Sequence, residues 1–400
     1  MSRSIASCVL ALITAVPGSS QTPVEGRVNY QQLDAPYLDQ YTTSPGSMMQ
    51  EWFLTHFMRM GVFAPYFDHD TSWYPSAVFY DDSYAIYPGS AVATDHPEWI
   101  LRDQNRSPLY IPWACGGGTC PQYAADIANP AYRAWWISNA QHIMNSAGYK
   151  GIWIDDASLN MNVCDGNGNF TAPIDGSTGL PMTRADWGAY MAAFMQQIRE
   201  SFPYAEIVEN TIWDASPSGA APGFDPAVQR QIQSATNINL ERGVASDPGL
   251  TGGTGRFSVY QYFGYIDQIH ALGRSVTLEH YQVTRAQQEY GLAAYFMISD
   301  GNDRIGDAST SPENWFPGYS ADLGAALGPR SYSNGVFHRS FANGIVLLGE
   351  PGLTMRMISL PGIFTTLAGA AVSSVSLSGS QGIVLTGHPY PLNRHISRDR

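Results

Sequence analysis

Acidic side chains end several apolar runs between residues 151 and 300 of this 400-residue sequence. Two carboxyl groups that face one another can hydrolyse a glycosidic bond, because one protonates the leaving oxygen while the other attacks the anomeric carbon or activates water. Aromatic rings flank such pockets, since the C–H faces of sugars pack against them. The residues that close these runs are Asp155 and Asp156, Glu209 and Asn210, Glu241, Glu279, and Asp300.

Asp155 and Glu241 are the strongest candidates for the catalytic pair. Asp155 closes a short apolar run, and Glu241 closes another two strands later. Asp156 stays a candidate beside Asp155, because the alternation of side chains is unreliable where a strand ends. The non-catalytic alternatives are that the two aspartates cap a helix or loop, and that Glu241 forms a salt bridge with Arg242.

Other polar residues are predicted to contact the substrate. Glu209 or Glu279 could bind sugar hydroxyls, or one of them could be the general acid. His280 could donate to a hydroxyl, although a structural histidine is the commoner outcome. The remaining candidates are Asp68, His69, Asp70, Trp153, Asn210, Asp300, Asn302 and Asp303.

Helical and strand-like segments alternate five times from residue 130 onward. The predicted helices begin at Pro130 and at the capping box of Thr183 and Asp186, and further ones lie near 226–235, over 257–272 and over 284–291. The predicted strands are 151–156, 206–210, 237–241, 275–279 and 292–298. Strict alternation indicates an α/β protein with parallel strands inside and helices outside.

Polar residues at nearly every strand end favour a closed barrel over an open sheet. In a (β/α)8 TIM barrel the chemistry lies at the carboxyl ends of all the strands, whereas a doubly wound sheet places one site at a crevice. We therefore predict a barrel over residues 21–330, with 61–67 and 108–113 as its best early strands. Residues 331–387, with an Asn343-Gly344 hairpin signal, predict a small antiparallel β-domain, and 388–400 a loose tail.

The composition excludes several other classes of protein. The formal net charge is −13, and 44% of the residues are hydrophobic. A nucleic-acid binder needs a concentrated positive surface, and a disordered chain lacks the apolar residues of a core. Because an acidic barrel mouth would repel a polyanion, we expect a neutral or weakly charged polysaccharide or oligosaccharide as the partner, and a monomeric protein.

Residues 1–20 have the pattern of a secretory signal peptide. Arg3 precedes a mostly apolar stretch, and Pro17-Gly18-Ser19-Ser20 supplies the small residues of a cleavage region. This stretch is too short to span a bilayer. We therefore predict a secreted protein, extracellular or periplasmic, without a membrane span.

Cys115 and Cys120 bracket a loop that contains three glycines. An oxidising compartment favours a disulfide between them, and the alternative, a two-cysteine metal site, lacks a second ligand pair at zinc-like spacing. Cys164 then has no partner. The segment from Asp165 to Asn169 begins like a calcium loop but departs from that pattern at its sixth and twelfth positions, so we expect neither a metal nor a cofactor.

Five runs of the sequence, taken in order, resemble the glycoside hydrolase-like TIM-barrel families, in particular hypothetical glycosyl hydrolase family 15. The resemblance extends over residues 45–385. The runs are Asp95–Leu101 (DHPEWIL), Asp126–Arg133 (DIANPAYR), Gly148–Asp156 (GYKGIWIDD), Ile238–Gly243 (INLERG) and Phe341–Leu347 (FANGIVL).

The resemblance implies a catalytic barrel that acts on a polysaccharide. In similar barrels the aspartate of a Gly-x-x-x-Asp run on the fourth strand is the nucleophile or base, which corresponds to Asp155. The acid lies on a later strand, where Glu241 is the best match. Two other functions remain open. One is a non-catalytic carbohydrate-binding barrel, which would not need two opposed carboxylates. The other is a metal-dependent deacetylase or other hydrolase, for which the sequence offers no compact His/Asp ligand set.

Overall fold

Eight parallel strands form a closed barrel within the residues that the computed structural model describes, which are 24–32, 46–63, 73–281, 284–307 and 313–388. Each strand pairs with the next one in the chain, and the first pairs with the last. The predicted (β/α)8 barrel is therefore confirmed. Its strands are β1 Tyr30–Gln32, β2 Arg59–Phe63, β3 Ala77–Asp82, β4 Gly151–Asp155, β5 Glu206–Thr211, β6 Asn237–Leu240, β7 Ser275–His280 and β8 Arg304–Asp307.

The long helices begin and end where local sequence signals place them. One helix starts with Pro130, directly after Asn129, whose side chain accepts a hydrogen bond from Ala131 N. It ends at Gly148, whose φ of 70° is the left-handed conformation that glycine tolerates. Another helix starts at the predicted capping box of Thr183 and Asp186. These helices are α1 Ser47–His56, α2 Pro130–Ala147, α3 Arg184–Ser201, α4 Pro226–Ser234, α5 Val259–Ala271 and α6 Arg285–Ile298.

The barrel interior is layered, because every second side chain of a strand points inward. At the amino ends of the strands, the Glu206 carboxylate lies 2.7 Å from the guanidinium groups of both Arg59 and Arg304. Val78, Trp153 and Val208 pack together in the next layer. The polar residues described below occupy the carboxyl ends.

A six-stranded antiparallel sheet follows the barrel and packs on α6. The predicted hairpin is present, with Phe341 opposite Gly344. The strands are β9 Ser331–Ser333, β10 Val336–Phe341, β11 Gly344–Gly349, β12 Arg356–Thr366, β13 Ala371–Leu377 and β14 Gly382–Thr386. The small C-terminal β-domain of the prediction is thus confirmed as an antiparallel sheet.

Two of the predicted strands are wrong. Residues 108–113 make only isolated bridges, such as those of Tyr110 with Tyr123 and Cys164, and the third barrel strand is instead Ala77–Asp82. Residues 292–298 belong to α6. This helix is covered by the barrel on one side and by the C-terminal sheet on the other, so it is apolar all round, and periodicity alone cannot distinguish such a run from a buried strand.

The early strand predicted at 61–67 corresponds to β2, whose described part ends at Phe63. Residues 1–20, the predicted signal peptide, lie outside the described residues, as do residues 389–400 of the predicted tail. Among the described helices, none combines the length and the apolar character needed to cross a membrane.

Candidate active site

Asp155 ends β4 on the inward-facing side of the strand and accepts three hydrogen bonds. The Tyr80 hydroxyl donates to Oδ2 at 2.6 Å, while the Asn210 amide and the backbone N–H of Asp156 donate to Oδ1 at 2.8 Å each. Burial, followed by the neighbouring carboxylates of Asp155 and Asp82, raises the pKa of Tyr80, so its hydroxyl keeps the proton that it donates. These donors fix the orientation of both carboxylate oxygens.

Glu241 lies on the other side of the same Asn210 side chain. Asn210 Nδ2 is 3.3 Å from Glu241 Oε2 and 2.8 Å from Asp155 Oδ1, so these two oxygens are no more than about 6 Å apart. The Tyr281 hydroxyl donates to Glu241 Oε1 at 2.9 Å. The structure therefore brings together the two carboxylates that the sequence singled out, with one amide between them.

The amide of Asn210 is itself held by a buried chain of polar groups. Asn239 Nδ2 donates to Asn210 Oδ1 at 3.0 Å and to Glu279 Oε2 at 2.5 Å. Because the Asn210 oxygen accepts the hydrogen bond from Asn239, the Asn210 nitrogen is turned towards Asp155 and Glu241. Burial, aided by the charges of Glu241 and Asp155, raises the pKa of Glu279 to about 8.

Asp156 lies at the same barrel mouth in a left-handed backbone conformation, with φ of 50°. Its Oδ2 accepts a hydrogen bond of 3.2 Å from the indole nitrogen of Trp113. Burial and the charge of Asp155 raise the pKa of Asp156 to about 7. Non-glycine residues in this conformation are uncommon, and here the strain occurs beside a cluster of carboxylates.

An open cavity of about 360 Å³ lies over these groups. Asp156, Asn210 and Glu241 line it, together with the aromatic rings of Trp113 and Trp213. Asp155 is half-buried and is not one of the lining residues, but it accepts a hydrogen bond from Asn210, which lines the cavity. Carboxylates with aromatic walls are the combination that the sequence predicts for a sugar-cleaving site.

Several predicted site residues lie elsewhere. Glu209 points out of the barrel, where it is fully buried and accepts a hydrogen bond of 2.9 Å from Ser234, and burial raises its pKa to about 8. Asp300 does not end a strand: it lies between α6 and β8, at the amino ends of the strands, opposite the cavity. Asn302 and Asp303 lie in the same turn. Trp153 lies in the interior beneath the mouth, stacked on Tyr80 with 5.4 Å between ring centroids.

Two further predictions concern His280 and the early acidic cluster. His280 is buried, and its Nδ1 lies 3.2 Å from the carbonyl oxygen of Gly306, which is a structural contact. Asp68, His69 and Asp70 lie outside the described residues, so their predicted role stays a prediction.

Five residues of this mouth were not predicted from the sequence: Tyr80, Asp82, Trp113, Asn239 and Tyr281. For β3 a signal was present, because Ala77–Asp82 (AVFYDD) has the same apolar run and double aspartate as Gly151–Asp156 (GIWIDD). Asp82 from that run is buried, and burial together with the charges of Asp156 and Asp155 raises its pKa well above its usual range. Trp113 has no comparable signal, since a loop carries it.

The predicted disulfide between Cys115 and Cys120 is present, and Cys164 is a buried free thiol. Its sulfur lies 3.8 Å from that of Cys115. Of the described residues, two groups are close enough to hold a metal ion: these three cysteines, two of which are consumed by the disulfide, and His270 with Asp300 and Asp303. The second group lies at the end of the barrel opposite the cavity, where Asp303 already accepts hydrogen bonds from His270 and Val276.

Comparison with known proteins returns one family and a shared fold. The model of the family described as hypothetical glycosyl hydrolase family 15 matches residues 65–345. No curated protein matches the sequence. A noncanonic maltogenic α-amylase, AmyB from Thermotoga neapolitana, is 10% identical with a TM-score of 0.50, covering 92% of this chain and 99% of its own. The glycoside hydrolase domain of PelA from Pseudomonas aeruginosa is 14% identical with a TM-score of 0.40, covering 71% and 96%. At these identities the likeness concerns the fold alone.

Proposed function

Since the chain belongs to hypothetical glycosyl hydrolase family 15, we propose that it hydrolyses the glycosidic bonds of a polysaccharide, with Asp155 as nucleophile and Glu241 as general acid and base. One observation carries the assignment: the amide of Asn210 donates to both carboxylates at the mouth of the barrel. A single amide between two carboxylates holds them at a defined separation, and such a pair is what glycosidic cleavage requires.

The separation supports a mechanism that retains the anomeric configuration. Retaining enzymes hold their carboxyl groups about 5–5.5 Å apart, whereas inverting enzymes need roughly 6.5–9.5 Å to admit a water molecule. The upper limit of about 6 Å between Asp155 Oδ1 and Glu241 Oε2 lies below the inverting range. We therefore propose that Asp155 acts as a nucleophile rather than as a base that activates water.

The proposed reaction then has two steps. In the first, an Asp155 oxygen attacks the anomeric carbon while the carboxyl group of Glu241 protonates the leaving oxygen, which produces a covalent ester between the sugar and Asp155. In the second, Glu241 removes a proton from water, the resulting hydroxide attacks the same carbon, and the Asp155 carboxylate leaves. Hydrogen bonds from Tyr80 and Asn210 stabilise that departing carboxylate.

Asp156 is the alternative proton donor. It lines the cavity directly, and a pKa of about 7 suits a group that must hold a proton near neutral pH and then release it. In that assignment Glu241 would bind the substrate. The two assignments differ in which variant loses the proton-donating function, and this can be measured.

Product analysis on a panel of polysaccharides tests the proposal. We expect wild-type protein to release reducing ends, and Asp155→Asn and Glu241→Gln each to lower kcat by about 10²-fold or more. Glu209→Gln is the matched control, because Glu209 faces the helices and should leave kcat unchanged. Retained activity in both test variants would refute the site assignment, and binding without cleavage by the wild type would instead favour a carbohydrate-binding barrel.

Two further measurements test which residue is the general acid and whether the anomeric configuration is retained. Loss of activity in Asp156→Asn with substantial activity in Glu241→Gln would transfer the acid role to Asp156. NMR spectroscopy of the first product formed should show the anomer of the substrate, and the opposite anomer would refute the nucleophilic role of Asp155.

We also propose that the protein is exported through residues 1–20. The pattern of those residues and the disulfide between Cys115 and Cys120 support this, since disulfides persist in oxidising compartments. N-terminal sequencing of protein recovered from outside the cytoplasm should give a mature chain that begins near residue 21. Recovery of full-length chain in the cytoplasm alone would refute export.

A further inference from the structure

A second cavity of about 480 Å³ adjoins the first at the barrel mouth. The two cavities share Asn162 and Asp214 in their walls. Both are built from the loops that follow β4, β5 and β6, so they lie side by side at the carboxyl ends of the strands. The two cavities are thus neighbours at the barrel mouth, and most of the carboxylates line the first one.

The two cavities differ in charge. The first cavity is lined by four carboxylates, those of Asp156, Asp214, Glu241 and Asp247, and by one arginine, Arg242. The second is lined by Arg184, the first residue of α3, and by Arg256, from the loop between β6 and α5, and the shared Asp214 is its one acidic residue. In a chain with 34 acidic and 21 basic residues, two arginines in one cavity depart from the overall charge.

Both arginines are available to a ligand. Each is exposed, and neither guanidinium forms an ion pair with a carboxylate of the described residues. Arg256 makes a weak hydrogen bond of 3.4 Å to the carbonyl oxygen of Asp214, and its Cζ lies 5.8 Å from the centroid of the Phe257 ring. Within the described part of the chain its other donors make no further hydrogen bond. A guanidinium presents five donors in a planar fork that matches the two oxygens of a carboxylate or sulfate.

Phe170 adds an aromatic surface to the same cavity. Its side chain is 72% exposed, although the loop that carries it is well held. The Asp165 carboxylate accepts hydrogen bonds from the backbone of Asn167 and Asn169, and Thr171 N donates to the carbonyl of Val163. A large apolar ring held open to solvent on an ordered loop is a surface on which a sugar ring can pack.

We propose that the second cavity binds an anionic sugar of the polysaccharide, with its acidic group on Arg184 and Arg256 and its ring on Phe170. This rests on the proposed function only in that the neighbouring cavity holds the bond to be cleaved. The substrate is then a glycan that carries carboxylate or sulfate groups at intervals: an uncharged unit lies among the carboxylates of the first cavity, and a charged unit lies among the arginines of the second. The sequence predicts a neutral or weakly charged glycan because the net charge of the chain is −13. That single number does not show that the two cavities differ in charge.

Binding to an array of immobilised oligosaccharides that contains neutral, uronate-bearing and sulfated members tests this. Glu241→Gln protein is used so that no glycan is consumed. We expect acidic members to be bound, and Arg184→Gln and Arg256→Gln each to weaken that binding by on the order of tenfold. Added salt should also weaken it, because exposed charge pairs are screened. Comparison of the uronate and sulfate members identifies the acidic group.

Arg230→Gln is the matched control, since it removes the same charge from an exposed position on α4, outside both cavities. Unchanged thermal melting of each arginine variant would establish that binding, rather than folding, is affected. The inference is overturned if no acidic glycan is bound, or if the double variant Arg184→Gln/Arg256→Gln binds acidic glycans as tightly as its parent. Arginine-dependent binding without hydrolysis by the wild type would leave the second cavity intact and refute the catalytic function alone.

Discussion

The Glu279→Gln substitution should stabilise the protein by an amount that grows with pH. Glu279 is 2% exposed, and burial followed by the charges of Glu241 and Asp155 raises its pKa from 4.5 to about 8. In the unfolded chain this carboxyl group ionises near pH 4.5, whereas in the folded protein it stays protonated up to about pH 8. Between those values the unfolded state binds fewer protons, so the wild type loses stability as pH rises.

The size of the effect follows from the pKa difference. One pKa unit corresponds to about 1.4 kcal/mol. The raised pKa of Glu279 therefore lowers the free energy of unfolding of the wild type by about 3 kcal/mol at pH 7 and by about 5 kcal/mol above pH 8. Glutamine has the shape of the protonated acid and carries no ionisable group, and its carbonyl oxygen can accept the hydrogen bond from Asn239. The variant should therefore approach the wild type in stability below pH 4.5 and exceed it increasingly at higher pH.

Urea unfolding of both proteins at a series of pH values measures this difference directly. Glu206→Gln is a control of opposite sign. Burial by itself would raise the pKa of Glu206, but Arg304 and Arg59 outweigh it and lower that pKa. Because a lowered pKa stabilises the folded state above the unfolded value of 4.5, Glu206→Gln should cost about 3–5 kcal/mol at neutral pH, and the loss should shrink as pH falls.

A difference between Glu279→Gln and the wild type that stays constant from pH 5 to 8 would refute the reasoning. It would mean that Glu279 is ionised in the folded protein. The polar chain from Glu279 through Asn239 to Asn210 would then carry a negative charge instead of a neutral acid.

Two further predictions concern the barrel mouth. Trp113→Phe removes the indole donor that lowers the pKa of Asp156. That pKa should then rise above about 7, and the limb of the kcat/KM pH profile that reports Asp156 should move to higher pH. A move to lower pH would contradict the assignment of that limb to Asp156. Asn210→Ala removes the amide between Asp155 and Glu241 and should lower kcat by roughly 10²-fold through misplacement of the pair. Full activity of that variant in the same reducing-end assay would show that the amide is dispensable.

Much of the barrel could be predicted from local signals. The helix starts at Asn129-Pro130 and at Thr183 are set by capping within a few residues of chain, and the hairpin between β10 and β11 follows from a short turn. The strand at Gly151–Asp155 could be recognised because four apolar or small residues precede a carboxylate. Each of these features depends on neighbours in the sequence.

Other elements depend on what covers them. Residues 292–298 belong to a helix that is covered by the barrel and by the C-terminal sheet. An apolar run that is buried on all sides does not by itself distinguish a helix from a strand. The strand Ala77–Asp82 gains its place between β2 and β4 through hydrogen bonds to residues far along the chain. Neither the helix at 292–298 nor the position of the strand Ala77–Asp82 in the barrel can be recognised from the periodicity of neighbouring residues.

The sequence by itself determined that carboxylates gather at the ends of parallel strands, since parallel strands bring their carboxyl ends to one edge. Only the tertiary structure decided which of two neighbouring residues faces the cavity. Glu209 and Asn210 follow one another on β5, yet the first is enclosed by the helices and the second joins Asp155 to Glu241. Both faces of a barrel strand are buried, so apolar alternation does not distinguish inside from outside; the closure of the barrel makes that choice.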